Sequence, residues 1–177
     1  MVKIVVMNGA ARSGKDTLSK FIGEKAELPW RIHSTVETVK KAARVFGADP
    51  DGEKGDAERR LWSDLKDAYT RYNDGPFFEV VERVDALNGG LTPEDSILFV
   101  HAREPREIGK LKNAFRENCT TILLKRGGVH IPNNHADENV ESFSYDLILD
   151  NSGSLSDLKL LAGEILEIIG IKPAPAQ

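Results

Sequence analysis

Apolar positions along this chain follow two rhythms: short unbroken runs, and longer stretches spaced by three and four. The runs at 2–7, 96–100, 120–125 and 145–149, with a shorter one at Trp30–Ser34, predict five strands, the longer ones covered on both faces. Between them the period changes. Leu18, Phe21 and Ile22 open a helix behind the first run, and Val36, Val39, Ala43 and Phe46 mark another over 35–46, stopped by Gly47. Leu61, Leu65, Ala68, Tyr69 and Tyr72 predict a helix over 57–72; Asn73-Asp74-Gly75-Pro76 breaks it before a further helix at 77–87. Pro105 suits the first turn of a helix over 104–117, with Ile108, Leu111 and Phe115 on one face. Ser154 with Asp157 reads as a capping box for a last helix lined by Leu158, Leu161, Ile165 and Ile168 and ended by Gly170.

Strands alternating with helices imply one α/β domain over 1–177: a mostly parallel five-stranded sheet, helices on both faces, and ligands at the carboxyl ends of the strands. A helical stretch from about 34 to 87 stands between the second and third strands as an insert. Residues 48–56 read as a polar loop, and the Pro/Ala tail at 172–177 as a frayed end.

The junction of the first strand and helix carries the sharpest signal. Gly9-Ala10-Ala11-Arg12-Ser13-Gly14-Lys15-Asp16-Thr17 meets the pattern G-x-x-x-x-G-K-[ST] everywhere except the last position, where Asp16 stands. Glycines at both ends let successive N–H groups turn inward on an anion, the helix end adds its positive pole, and Lys15 adds a charge for the outer phosphates. Strand, loop and helix together predict a nucleotide-phosphate site. Asp16 either joins Thr17 in holding Mg²⁺ or complements the helix N-terminus.

Composition narrows the rest. The chain has 177 residues, 40% hydrophobic and 29% charged, with a net charge of −4 that gives no overall attraction to nucleic acid or anionic membrane. Cys119 is the single cysteine, so no intrachain disulfide forms, and a small buried hydrophobe is expected. No run is long enough to span a bilayer, and the 2–7 run enters the phosphate loop directly rather than forming a signal peptide. A reducing cytoplasm is the expected compartment.

A bound triphosphate needs positive charge around the transferring group and a metal ion on its oxygens. Arg12 and Lys15 lie in the loop, Arg103 and Arg126 just past the third and fourth strands, and topology brings those strand ends to the loop's rim. Arg106 reads equally well as a solvated charge. His33 and His101 each end a strand, whereas His130 and His135 read as polar loop residues without a zinc spacing.

The loop ending Gly14-Lys15-Asp16 resembles that of the phage-type deoxynucleoside monophosphate kinases and the animal-type phosphomevalonate kinases, and the likeness runs along most of the chain. The 39–47 helix with Lys40 resembles their acceptor-lining helix. The stretch from Arg59-Arg60 to Gly75-Pro76-Phe77-Phe78 is similar to the phosphomevalonate kinase segment, and 99–108 resembles the strand–Asp-x-Arg–helix segment. His135-Ala136-Asp137-Glu138 resembles the lid end, and 145–155 the closing strand and Asn-x-Gly-x-Leu turn that borders adenine. His101 stands where that group has Asp, and Asp137 where the lid has Ser.

The resemblance implies a three-layer P-loop fold with an acceptor-binding insert at about 34–87 and a short lid at about 126–142. It implies a kinase that uses ATP and Mg²⁺ to phosphorylate a phosphate group, with a (deoxy)nucleoside monophosphate as acceptor and phosphomevalonate as the alternative. A nucleotide-binding protein without transfer is the rival. Lys15, Arg103 and Arg126 would act on the transferring group. Residues 9–17, Arg126 and Asn151 would bind ATP, Asp16 and Thr17 the metal, and Ser34, Lys40, Arg44, Arg59, Arg60, His101 and Arg103 the acceptor.

Overall fold

A computed structural model describes residues 1–49, 55–89, 95–127 and 140–175. Five strands form one parallel sheet: β1 (Val2–Asn8), β2 (Trp30–Ser34), β3 (Ser96–His101), β4 (Cys119–Lys125) and β5 (Leu147–Asp150), in the order β2-β3-β1-β4-β5. β1 lies at the centre, paired through Val5 to Phe99 on one side and to Thr120 on the other. Its residues from Ile4 to Met7 are at most 1% exposed, as a strand roofed on both faces requires. The strand order reverses beside β1, so the carboxyl end of this strand is where a crevice opens.

The helices are α1 (Lys15–Lys25), α2 (Glu37–Ala43), α3 (Asp56–Asn73), α4 (Gly75–Asn88), α5 (Pro105–Phe115) and α6 (Leu155–Ile168). Alternate strand residues feed two cores. Val5, Met7, Phe99, Ile122 and Leu124 pack with Leu18 and Ile22 of α1 and with Leu158, Ala162 and Ile165 of α6. On the other face Ile4, Val6, Leu98 and Val100 pack with Val80 and Val84 of α4 and with Ile108 and Leu111 of α5. A third, smaller cluster of Val39, Ala43 and Trp62 joins α2 to α3, so the insert has a core of its own. Cys119 is 1% exposed, and burial pushes its thiol up to about 12, so it packs as an inert hydrophobe.

Several boundaries differ from the sequence reading, each for a local reason. The helix expected over 35–46 is shorter. Thr35 N–H donates to His101 O and prolongs the sheet contact, α2 closes at Ala43, and a 3₁₀ turn (Arg44–Phe46) follows before Gly47 at φ 81°. The fifth strand begins at Leu147, not at 145. Asp146 spends its side chain on Thr121 N–H and Oγ1, and Tyr145 donates to Val140 O, before the backbone ladder starts. The tail is not frayed through 174. Pro173 bridges Ala26, Ala174 N–H donates to Lys25 O, and Glu27 N–H donates to Lys172 O, fastening it to the far end of α1. The Ser154–Asp157 capping box forms as expected. Most of the 48–56 loop reading and of the 126–142 lid, including His130, His135 and Asp137, falls outside the described residues.

Candidate active site

The loop after β1 is shaped by its two glycines. Gly9 sits at φ 146°, where an added Cβ would lie 2.3 Å from Leu124 O; Gly14 sits at φ 99°, where one would lie 2.5 Å from Asn151 Nδ2. Any larger residue would strain the backbone and collide with β4 or with the turn after β5. Two amide side chains hold the loop from below. Asn8, fully buried, accepts from Gly9 N–H and donates to Tyr145 Oη and Arg103 O; Asn151 donates to Ser13 O at 2.8 Å. Arg12 turns through the left-handed region at φ 63° with an exposed side chain. Ala10 O accepts from Ser13 N–H, and Ala11 lies between them on the half-buried crest.

Lys15 opens α1 with its side chain folded back over this loop. Nζ donates to Gly9 O at 2.6 Å and to Ala10 O at 2.9 Å, and lies 3.5 Å from Ser13 Oγ. Gly14, the N-cap of α1, has no side chain to cap the head of the helix. The first N–H groups of a helix and the Lys15 ammonium folded over the loop beside them together suit an anion.

Asp16 follows, its side chain 83% exposed, with Thr17 half-buried beside it. His101, at the end of β3, places Nδ1 3.4 Å from Asp16 Oδ1 and Nε2 2.9 Å from Ser19 Oγ. Hydrogen bonding from His101, together with the charges of His101 and Lys15, outweighs burial and holds the Asp16 carboxyl at about 2. His101 thus turns to α1 rather than toward the insert. Ser34 pairs with His101 in the sheet register, at the edge of the same rim.

Arg103 leaves β3 half-buried, its carbonyl fixed by Asn8, and Arg126 follows β4 at the surface. In the insert, Lys40 holds its ammonium 5.5 Å from the Trp62 ring centroid. Arg44 and Arg60 are exposed and Arg59 half-buried.

Two polar clusters were not read from the sequence. Lys66 of α3 reaches Glu104 and Glu107 at the start of α5, each at 2.8 Å, and Glu107 also accepts from Thr35. Burial opposes the Lys66 charge, but the two carboxylates hold the ammonium above its ordinary value. Burial pushes Glu107 up, against the pull of Lys66. The second cluster is centred on His33, which is fully buried between Glu37 at 3.3 Å and Glu79 at 3.5 Å. Burial and Arg83 lower its basicity against both carboxylates. Most of their contacts have no local sequence signal, since Lys66 meets Glu104 and Glu107, and His33 meets Glu79, only through tertiary packing. Among the described residues, no three His, Cys, Asp or Glu side chains are grouped to hold a metal by themselves, and no helix is long and apolar enough to cross a membrane.

No protein-family model and no curated protein sequence matches the chain. Solved structures do resemble it. An unliganded sugar kinase from Janibacter sp. HTCC2649 superposes with a TM-score of 0.56 at 15% identity over 95% of this chain and 96% of that one. A thymidylate kinase from Candida albicans gives 0.55 at 13% identity over 98% of each, and a gluconokinase from Sinorhizobium meliloti gives 0.51 at 12% identity over 95% of each. At such identities the likeness is one of architecture. The chain has the α/β fold of the P-loop kinases, a five-stranded parallel sheet between helical layers.

Proposed function

We propose that this protein is an ATP-dependent small-molecule kinase that passes the γ-phosphoryl group to a phosphate on its acceptor. A (deoxy)nucleoside monophosphate is the acceptor put forward and phosphomevalonate the second. The observation that carries the reading is the loop itself: Gly9 and Gly14 in conformations only glycine holds cheaply, a glycine N-cap at the α1 head, and Lys15 folded across the loop. The fold neighbours include a thymidylate kinase as well as sugar kinases, so architecture supports a kinase and leaves the acceptor to the residues. The resemblance of the Gly14-Lys15-Asp16 loop and of 99–108 to the deoxynucleoside monophosphate and phosphomevalonate kinases supports a phosphate acceptor.

In this reading the loop at 9–17 and the α1 head bind the β- and γ-phosphates of ATP, and Lys15 leaves its carbonyl partners for the outer phosphates. Asn151 sets the depth of the loop beside the adenine. Arg103 and Arg126 stabilise charge on the transferring group, catalysis being a matter of position and field with no covalent intermediate. The exposed Asp16 carboxylate at the head of α1, with Thr17, fits a divalent cation, which when bound would neutralise phosphate oxygens. Residues 34–87 form the acceptor side, where Ser34, Lys40, Arg44, Arg59 and Arg60 are the candidates for acceptor contacts, and 126–142 is the lid. His101 borders that side and faces α1.

ADP release with a panel of monophosphates and phosphomevalonate tests this. One acceptor is expected to stimulate turnover, and Lys15→Ala to reduce it by about a hundredfold or more. Tight ATP binding with no acceptor-stimulated turnover would establish the rival, a nucleotide-binding protein without transfer. ADP appearing equally fast without any acceptor would make it an NTPase.

A further inference from the structure

Lys66 lies midway along α3, yet its side chain is only 7% exposed. It reaches across to α5, where Nζ stands 2.8 Å from Glu104 Oε1 and 2.8 Å from Glu107 Oε2. Glu104 is the N-cap of α5 and directly follows Arg103, whose carbonyl accepts from Asn8 on β1. The Arg103-Glu104 segment is therefore held from two sides, by the central strand and by the insert. Glu107 carries the link onward. Its Oε2 also lies 3.4 Å from Oγ1 of Thr35, the residue after β2, and Thr35 N–H donates to His101 O at the end of β3.

Stability alone does not call for such a device. A buried ion pair gives up much of its attraction in lost hydration, and apolar side chains of like volume often serve a fold as well. What they lack is direction. Two short bonds from one ammonium fix where both carboxylates stand, and with them the backbone that carries them. That backbone leads straight into Arg103. At the other end of the tie, α3 carries Arg59 and Arg60 on the acceptor side.

We propose that Lys66 is a positioning residue for phosphoryl transfer, setting through Glu104 and Glu107 the spacing between Arg103 and the acceptor side of α3. This rests on the kinase reading. The two carboxylates lie on α5 and not in the 9–17 loop, so the loss of this tie bears on transfer to the acceptor and not on nucleotide binding.

The test replaces the tie by an apolar contact, Lys66→Met with Glu107→Leu in the full chain, so that no charge is left stranded in the interior. ADP release is measured with and without deoxynucleoside monophosphates and phosphomevalonate. The acceptor-stimulated kcat is expected to fall about tenfold to a hundredfold, the effect of a misplacement of about 1 Å at a reacting group. The Kd of a non-hydrolysable ATP analogue and ADP release without acceptor should each change less than about twofold. Glu104→Ala, at a partly exposed residue, cuts only the bond beside Arg103 and is expected to lower the stimulated kcat about threefold or more. A folded double variant with wild-type kcat, or with ADP release reduced equally with and without acceptor, overturns the inference while the kinase reading stands. If the double variant does not fold, an unchanged kcat in Glu104→Ala overturns it. Wild-type protein without acceptor-stimulated turnover overturns the kinase reading and the inference with it.

Discussion

The loop after β1 and the helices between β2 and β3 both leave the carboxyl end of the sheet, and they are built by opposite means. The loop is a backbone object. Gly9 and Gly14 set its path against Leu124 O and Asn151, and Asn8 and Asn151 hold it through amide hydrogen bonds. The insert is a side-chain object. It has a small core of Val39, Ala43 and Trp62, and it joins the body through Lys66 with Glu104 and Glu107, and through His33 with Glu37 and Glu79. A site made by main-chain N–H groups tolerates variety at its intermediate positions but not at its glycines. One made by long side chains can be retuned residue by residue, at the risk of stranding a buried charge.

That contrast can be broken most forcefully at Lys66. Lys66→Ala leaves Glu107 buried with one oxygen already unpartnered, and should cost about 3–5 kcal/mol. Urea unfolding measures it, and adding Glu107→Gln should recover part of the loss. A cost below about 1 kcal/mol would mean that the ion pairs do not fasten the insert. On the loop side, Gly9→Ala forces a Cβ against Leu124 O at positive φ, with an expected cost of about 1–3 kcal/mol and a collapse of nucleotide affinity seen by calorimetry. Unchanged affinity would show that the loop's path is not what binds phosphate.

The smallest effect is at Asp16. Its folded pKa of about 2 lies below its ordinary 3.8, so its contribution to stability is present above 3.8 and is lost as pH falls through about 2. Asp16→Asn should lower the melting temperature slightly at neutral pH, with the gap to wild type closing between pH 4 and 2. A gap that persists below pH 2 would assign the effect to something other than ionisation.

The loop and the sheet were legible because both are written in local periodicity: apolar runs for buried strands, and paired glycines before Lys15 for the loop. The insert was legible as helices but not as contacts. Lys66 looks like any surface lysine on a helix until α5 is packed against it, and its burial is set by the tertiary arrangement of α3 and α5. His101 was visible as a strand-ending residue, but its turn toward Ser19 and Asp16 depends on the α1 face that it meets. The tail misled because its Pro/Ala composition suggests fraying, while its backbone groups find partners on α1 and on the residue after the helix.

Asn8 has a further consequence. One buried side chain touches the loop through Gly9, the arginine that follows β3 through its carbonyl, and Tyr145, which in turn donates to Val140 O. Its carboxamide group therefore touches three separate parts of the rim at once, two through its protons and one through its oxygen. In a ¹⁵N spectrum that single pair of resonances would serve as a built-in reporter, shifting when phosphate enters the loop and shifting again if the opposite rim rearranges.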